Sequence, residues 1–295
     1  MKVLITGGSG FVGKNVKESL EKAGGYTICA PSSTELDCLD VTAVTRCLES
    51  GNYDYVLHFA AYGDAVKKDR DHTKILEYNL RMYHNFAINA DKFGRMIYTG
   101  SGAEYGKNRP ITNVREEEKG AYVPVDPYGL FKYTVDELTA HSHNIYNLRL
   151  FGIFGKHEDW KTKFISNCCC KSIFGLPLSI RQNCRFDYIW IDDFCRMLEQ
   201  FMKLKHPRYH TYNAVNGKSI ELKELAELVG RISGHGSQIF ICREGYANDY
   251  TADNGRMMRE LQGFQYTKTE TAVQELYHYY EEHRDIFDLY SLIYS

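Results

Sequence analysis

The chain has 295 residues, 43% of them hydrophobic, with 38 acidic against 36 basic side chains and a formal net charge of −2. That is enough apolar mass for one large core or two closely joined ones, and the near-neutral charge without a basic block argues against nucleic acid or an anionic membrane surface as a partner. No window approaches the roughly 18 apolar residues a membrane helix needs, so a cytoplasmic protein is expected.

Cysteine usage points the same way. The nine cysteines form an odd set with no CxxC pair and no Cys/His cluster at zinc spacing, which fits a reduced compartment and no structural metal. The run Cys168-Cys169-Cys170 reads as small buried or half-buried residues on a helix.

The opening "MKVLITGGSGFVG" carries an apolar run that breaks into glycines too early for a signal-peptide core, and reads as a first strand. Gly7, Gly10 and Gly13 then stand at G-x-x-G-x-x-G spacing before a helix over 11–23. A tight strand-to-helix turn needs positive φ, and a diphosphate approaches helix N-terminal N–H groups only where no Cβ intervenes. A bare glycine turn is the bland alternative, but the strand before and the helix after favour a dinucleotide.

Further strands are predicted at "YTICA", "YVLHFA", "RMIYTG" and "IYNLRL", and helices over 41–50, 73–92 and 128–142. This strand–helix rhythm predicts an α/β fold with a doubly wound parallel sheet. After the second strand, "TICAPSSTELD" offers Ala30, Pro31, Ser32 and Ser33 where an acid would bind ribose hydroxyls. Lacking that acid, the site leans to NADP over NAD, although no Arg stands nearby to hold a 2′-phosphate.

Beyond Gly155 the rhythm changes. "HEDWKTKFISNCCCKSIFG" looks helical, "LPLSI" extended, and "FDYIWI" is a strand leading into a helix at 192–203. "SIELKELAELVGRISG" is amphipathic, with Ser219 as N-cap and Leu222, Leu225, Ala226 and Val229 on one face. The tail "LYHYYEEHRDIFDLYSLIY" reads as a packing helix with aromatic anchors. One region is expected over 1–155 plus about 186–215, interleaved with a smaller one over about 156–185 and 216–295.

Taken in order, "TGGSGFVG", "LDVTA", "VLHFAA", Asn79 in "YNLRMYHN", "IYTGSGAEYG", "YGLFK", "LRLFGIFG" and "FDYIWIDD" resemble the extended short-chain dehydrogenase/reductase family, in its nucleotide-sugar epimerase, dehydratase and 4-ketoreductase branch. The resemblance spans nearly the whole chain. It implies a Rossmann-type NAD(P)-binding domain for the first region and a substrate-binding role for the second. The cofactor would lie on Gly7, Gly10, Phe11, Val12, Gly13 and Ser32, with Asp40 and Val41 bracketing the adenine and Ala60 and Ala61 lining the site. Asn79 faces the fold's centre, either satisfying buried backbone or serving function.

The resemblance also makes Tyr128 the acid/base. Lys132, one helical turn on, faces the same side; its charge would favour phenolate in a group that ordinarily titrates near about 10, and it would bind the nicotinamide ribose. The Ser101 hydroxyl would bond the reacting sugar oxygen, and Arg185 would grip the substrate diphosphate through its guanidinium fork. Arg185 departs from the pattern, because Phe186 intervenes before the Asp, and Gly152 stands where many relatives carry an Asn. A nucleotide-sugar substrate and a homodimer built on 73–92 and 128–142 are implied.

Which reaction follows depends on the residues after Ser101. Dehydratases of this branch carry an acid there; this chain has Gly102 and Ala103, with Glu104 one place on and facing the other way on an extended segment. The fucose-synthase-like enzymes place a Cys at the position of Ala103. What remains needs hydride transfer and one proton: reduction of a 4-keto sugar, or 4-epimerisation by oxidation, rotation and re-reduction. The reading favours the reductase over the epimerase, and either over a dehydratase or a non-catalytic dinucleotide sensor. His157, His141, His143, Trp160, Lys161 and Lys163 read as structural or solvated.

Overall fold

The structure, a computed structural model, describes residues 1–63 and 71–293. In chain order, β1 (Lys2–Thr6) turns through the glycines into α1 (Phe11–Ala23), followed by β2 (Thr27–Cys29), α2 (Val41–Gly51), β3 (Tyr53–His58), α3 (Ile75–Ala87) and β4 (Phe93–Ser101). Next come β5 (Ile111–Val114), α4 (Pro127–Ala140), β6 (Ile145–Leu150), β7 (Gly152–Phe154), α5 (Phe164–Ile173), β8 (Leu178–Asn183), β9 (Arg185–Trp190) and α6 (Ile191–Lys203). The chain continues with β10 (Thr211–Asn213), β11 (Ser219–Glu221), α7 (Leu222–Ser233), β12 (Ile239–Tyr246), β13 (Tyr250–Ala252), α8 (Gly255–Glu260), α9 (Thr269–Glu282) and α10 (Leu289–Ile293).

A six-stranded sheet in the order β10-β6-β4-β3-β1-β2 is parallel throughout. Side-chain alternation builds its two cores. Val3 and Ile5 of β1 point to the layer of α1 and α6, with Val16, Leu20, Phe194 and Leu198. Leu4 points the other way, to α2, α3 and α4, with Val44, Leu48, Phe86 and Val135. The doubly wound sheet expected from the strand–helix rhythm is therefore present.

A second sheet runs β11-β9-β13-β5, with β7 paired to β9, and β12 pairs β8 in a short parallel ribbon. Within 1–155, β5 pairs β13 and β7 pairs β9, the "FDYIWI" strand, which also pairs β13 in the second sheet; of 186–215, β10 joins the main sheet and α6 packs on it.

Helix ends differ from expectation for local reasons. α4 starts one residue early because Asp126 caps it, accepting from Gly129 N at 2.8 Å, with Pro127 in the first turn, where its missing N–H costs nothing. Ser219 is not a cap: it lies in β11, and Glu221 with Glu224 forms the capping box of α7. α3 is shorter than 73–92, its flanks being 3-10 turns at 72–74 and 90–92. The tail divides into α9, a 3-10 turn at 284–286 and α10; Tyr294 lies outside the described residues.

Cys168, Cys169 and Cys170 on α5 are all buried, and burial pushes the Cys168 thiol up to about 12. Among the described residues no helix is long and apolar enough to cross a membrane.

Candidate functional site

A cleft of about 590 Å³ opens at the carboxyl ends of β1, β3 and β4. Gly7, Gly10 and Gly13 with Phe11 and Val12 form one wall, Ala60 and Ala61 the other. Gly7 has φ +70°, and a Cβ there would stand 2.7 Å from Ala60 N. A Cβ on Gly13 would stand 2.2 Å from Gly7 O, so α1 can approach the turn only as glycine. Gly10 opens α1 with no side-chain cap, leaving first-turn N–H groups for an anion. This cradle fits a dinucleotide diphosphate.

The adenine-side residues do not all fall where the sequence placed them. Asp40 is the N-cap of α2, its Oδ1 accepting from Thr42 N at 2.8 Å and Ala43 N at 3.2 Å, and neither it nor Val41 lines the cleft. Asp37 and Cys38, three residues earlier, do. Capping engages one oxygen of the Asp40 carboxylate. Ser32 is likewise engaged: its N–H and Oγ donate to Glu35 Oε2 at 2.7 and 2.8 Å, while Pro31 and Ser33 face the cleft.

Among the described residues Asn79 bonds backbone alone. Its Oδ1 accepts from Tyr62 N at 2.8 Å, and Nδ2 donates to Tyr62 O at 2.9 Å and Ile75 O at 2.7 Å. This holds the cleft-lining segment at Tyr62 against α3, the blander of the two readings.

Lys132 lies buried beneath the cleft, its ammonium donating to Tyr98 Oη at 2.6 Å and to Thr99 O at 2.7 Å; Thr99 itself lines the cleft. Tyr128, one turn earlier on α4, is half-buried, and the Lys132 ammonium is 5.7 Å from its ring centre. Desolvation pushes Lys132 down to about 7, with the Glu104 carboxylate opposing. His58, buried against Thr6 Oγ1 at 2.8 Å, is pushed down to about 3 by desolvation and by Lys132, and so stays neutral.

Ser101 ends β4 and caps the 3-10 turn Gly102–Tyr105, its Oγ accepting from Ala103 N at 3.2 Å. The Tyr250 hydroxyl stands 3.4 Å from the same Oγ. The Lys107 ammonium lies 4.9 Å from the Tyr250 ring and 6.0 Å from that of Tyr128, so these four side chains share one neighbourhood. Tyr250 and Lys107 carry no motif. Tyr250 arrives from 149 residues away, beyond any spacing rule.

Glu104 does turn away from Ser101's hydroxyl, though on a 3-10 turn rather than an extended segment. It pairs with Arg149 and accepts from Ser101 N at 3.0 Å and Asn147 Nδ2 at 3.2 Å. Arg149 also pairs with Asp136, and Lys119 reaches Asp136 at 3.0 Å. Desolvation lifts Glu104 to about 6 against the pull of Arg149. Against the same penalty, Arg149 and Lys119 hold Asp136 at about 2. The network ties β4, α4 and β6 together beneath Ser101.

Arg185 is exposed, 3.5 Å from Glu221 across the β9–β11 pair. Strand alternation turns Phe186 to the other face, where it packs on Tyr250 and Tyr188 with ring centres 5.4 Å apart in each case. Gly152 has no room for a larger side chain, since a Cβ would meet the Tyr188 ring at 2.6 Å. His157 sits between Glu18, at 3.0 Å, and Tyr279, at 3.3 Å, both structural contacts.

A family model described as the NAD dependent epimerase/dehydratase family matches residues 3–214. A UDP-glucose 4-epimerase of Streptomyces lividans is 23% identical over 97% of this chain and 98% of its own length. Among solved structures, a Thermotoga maritima UDP-glucose 4-epimerase with UDP-glucose superposes with TM-score 0.81 at 20% identity, covering 96% of this chain and 100% of that one. A Campylobacter jejuni GDP-mannoheptose C4 reductase with NADP bound superposes at 0.80 and 18% identity, over 95% of this chain and 98% of the other.

Proposed function

The chain belongs to the NAD dependent epimerase/dehydratase family, and from that premise we propose that it is an NAD(P)-dependent oxidoreductase of a nucleotide-diphosphate sugar, reducing a 4-keto group to the alcohol in the cytoplasm. The observation that carries this reading is the set at the carboxyl edge of β4. Lys132 is anchored on Tyr98 and Thr99 beside Tyr128, and the carboxylate nearest Ser101 in sequence is turned into the Arg149 pair.

A bound nicotinamide supplies the hydride. Tyr128 gives its proton to the sugar oxygen as the carbonyl carbon is reduced, and the nearby Lys132 ammonium stabilises the phenolate left behind. Ser101 Oγ donates to the same oxygen and fixes its position. With Gly102 and Ala103 following Ser101, no side chain there removes a carbon-bound proton, which disfavours dehydration. Run forward and back around a rotated intermediate, the same groups would perform 4-epimerisation; the likeness to UDP-glucose 4-epimerases favours that second reading.

NADP is the proposed cofactor, because Pro31 and Ser33 meet the cleft directly after β2, where an acid would bind ribose hydroxyls, and the carboxylate in this part of the lining, Asp37, stands farther along the chain. A homodimer is proposed on α3 and α4, where Leu138 of α4 is exposed. The deciding experiment denatures undialysed protein and identifies the released nucleotide by mass spectrometry. Empty protein that then binds NADPH more tightly than NADH supports the reductase. Stoichiometric NAD, a cofactor regenerated in every turnover, would replace it with the epimerase.

A further inference from the structure

A second cavity, of about 140 Å³, adjoins Tyr250 and is lined by Lys107, Arg109, Ile111, Phe186, Asn248 and Asp249. Its lining combines two aromatic rings, Phe186 and Tyr250, with two cations, Lys107 and Arg109, and one acid, Asp249. Through Tyr250 it touches Ser101 Oγ, at 3.4 Å, and through Lys107 it reaches the Tyr128 ring, at 6.0 Å. It therefore abuts the proposed reacting centre on the side away from the glycine turn.

Its charges are unspent. Arg109 uses Nε to donate to Tyr105 O at 3.3 Å and rests on the Tyr122 ring at 5.2 Å, and Lys107 lies over Tyr250. Among the described residues neither closes a salt bridge. Asp249, the acid in the lining, is already met by Arg185 N at 3.3 Å and Thr112 Oγ1 at 3.4 Å. Desolvation lowers the Lys107 pKa, with Asp126 opposing and the Lys163 charge adding to the fall. Clustered ammonium and guanidinium groups repel one another, and a multivalent anion relieves that repulsion.

We propose that Lys107 and Arg109, on the loop after β4, hold the diphosphate of the substrate, in the part that Arg185 cannot play from the opposite face of β9. Phe186 makes this reassignment necessary, since it fills the inward position with a ring. The inference rests on the nucleotide-sugar reading and narrows it: the anionic middle of the substrate meets a loop of the first half of the chain, not the β9 strand.

The test is calorimetric titration of the cofactor-loaded full chain with GDP and with UDP. Lys107→Gln and Arg109→Gln should each weaken binding of the diphosphate by about 10-fold or more, as loss of a charge-assisted contact does. The double variant should lose about 100-fold, Lys107→Arg should restore most of the affinity, and Arg185→Gln should change it less than about 2-fold. Unchanged affinity in the double variant, or a loss confined to Arg185→Gln, overturns the assignment while leaving a nucleotide-sugar enzyme standing. If neither diphosphate binds the wild-type chain at millimolar concentration although the dinucleotide does, the substrate class itself is wrong, and this subsite with it.

Discussion

The Lys132 ammonium is 2.6 Å from the Tyr98 hydroxyl, a buried charge-assisted bond that ties helix α4 to strand β4 just below the cleft. The acceptor favours the charged amine, while desolvation pushes the pKa down to about 7. Tyr98→Phe removes the acceptor and should lower that pKa further. The ammonium is lost as pH rises through its pKa, so the alkaline limb of the kcat/KM profile should move to lower pH. A profile that keeps its alkaline limb would sever Tyr98 from the tuning of Lys132.

Tyr128→Phe keeps the ring that packs edge-on to Phe131, with centres 6.0 Å apart, and deletes only the hydroxyl that carries the proton. Turnover should fall by about 10²- to 10⁴-fold, with dinucleotide affinity within about 2-fold of wild type by fluorescence titration. Full activity in this variant would remove Tyr128 from the chemistry.

Gly13→Ala puts a Cβ 2.2 Å from Gly7 O. The obstacle is backbone, so α1 must move away from the turn, taking its N–H groups with it. Dinucleotide affinity should drop more than about 10-fold. Titration of the variant with wild-type affinity would show that the cradle tolerates the shift.

Arg149 answers two buried carboxylates, Glu104 and Asp136. Arg149→Met fills similar space but strands both, and stability should fall by about 3–5 kcal/mol. Urea unfolding is the measurement; a loss below about 1 kcal/mol would mean that water or a shifted Lys119 takes over the charge.

Glu158 is buried, accepts from Ser166 Oγ at 2.6 Å, and is lifted from 4.5 to about 8 by desolvation. Between those values the folded chain holds a proton that the unfolded chain has released, so this group's stabilisation is present below about 4.5 and lost as pH rises through about 8. Glu158→Gln imitates the protonated acid. It should leave the melting temperature near wild type at pH 5 and raise it at pH 9; equal melting temperatures at both would show that Glu158 is solvated.

Much of the fold was legible because its causes are local. β1, the glycine turn and α1 are neighbours in sequence, and apolar periodicity marked every strand of the main sheet except the short β10. Tyr128 and Lys132 share a face because four residues make about one helical turn. Where a local rule claims a residue, the sequence shows only part of its role: Asp40 caps α2 through Oδ1, while Asp37 and Cys38 line the cleft. The one-residue difference between Arg185 and Phe186 could be read only once the strand had a partner on each edge and therefore two defined faces. Tyr250, Lys107 and the Glu104–Arg149–Asp136 network belong wholly to tertiary structure. Burial and charge pairing act through space, between segments whose sequence separation carries no trace of their contact.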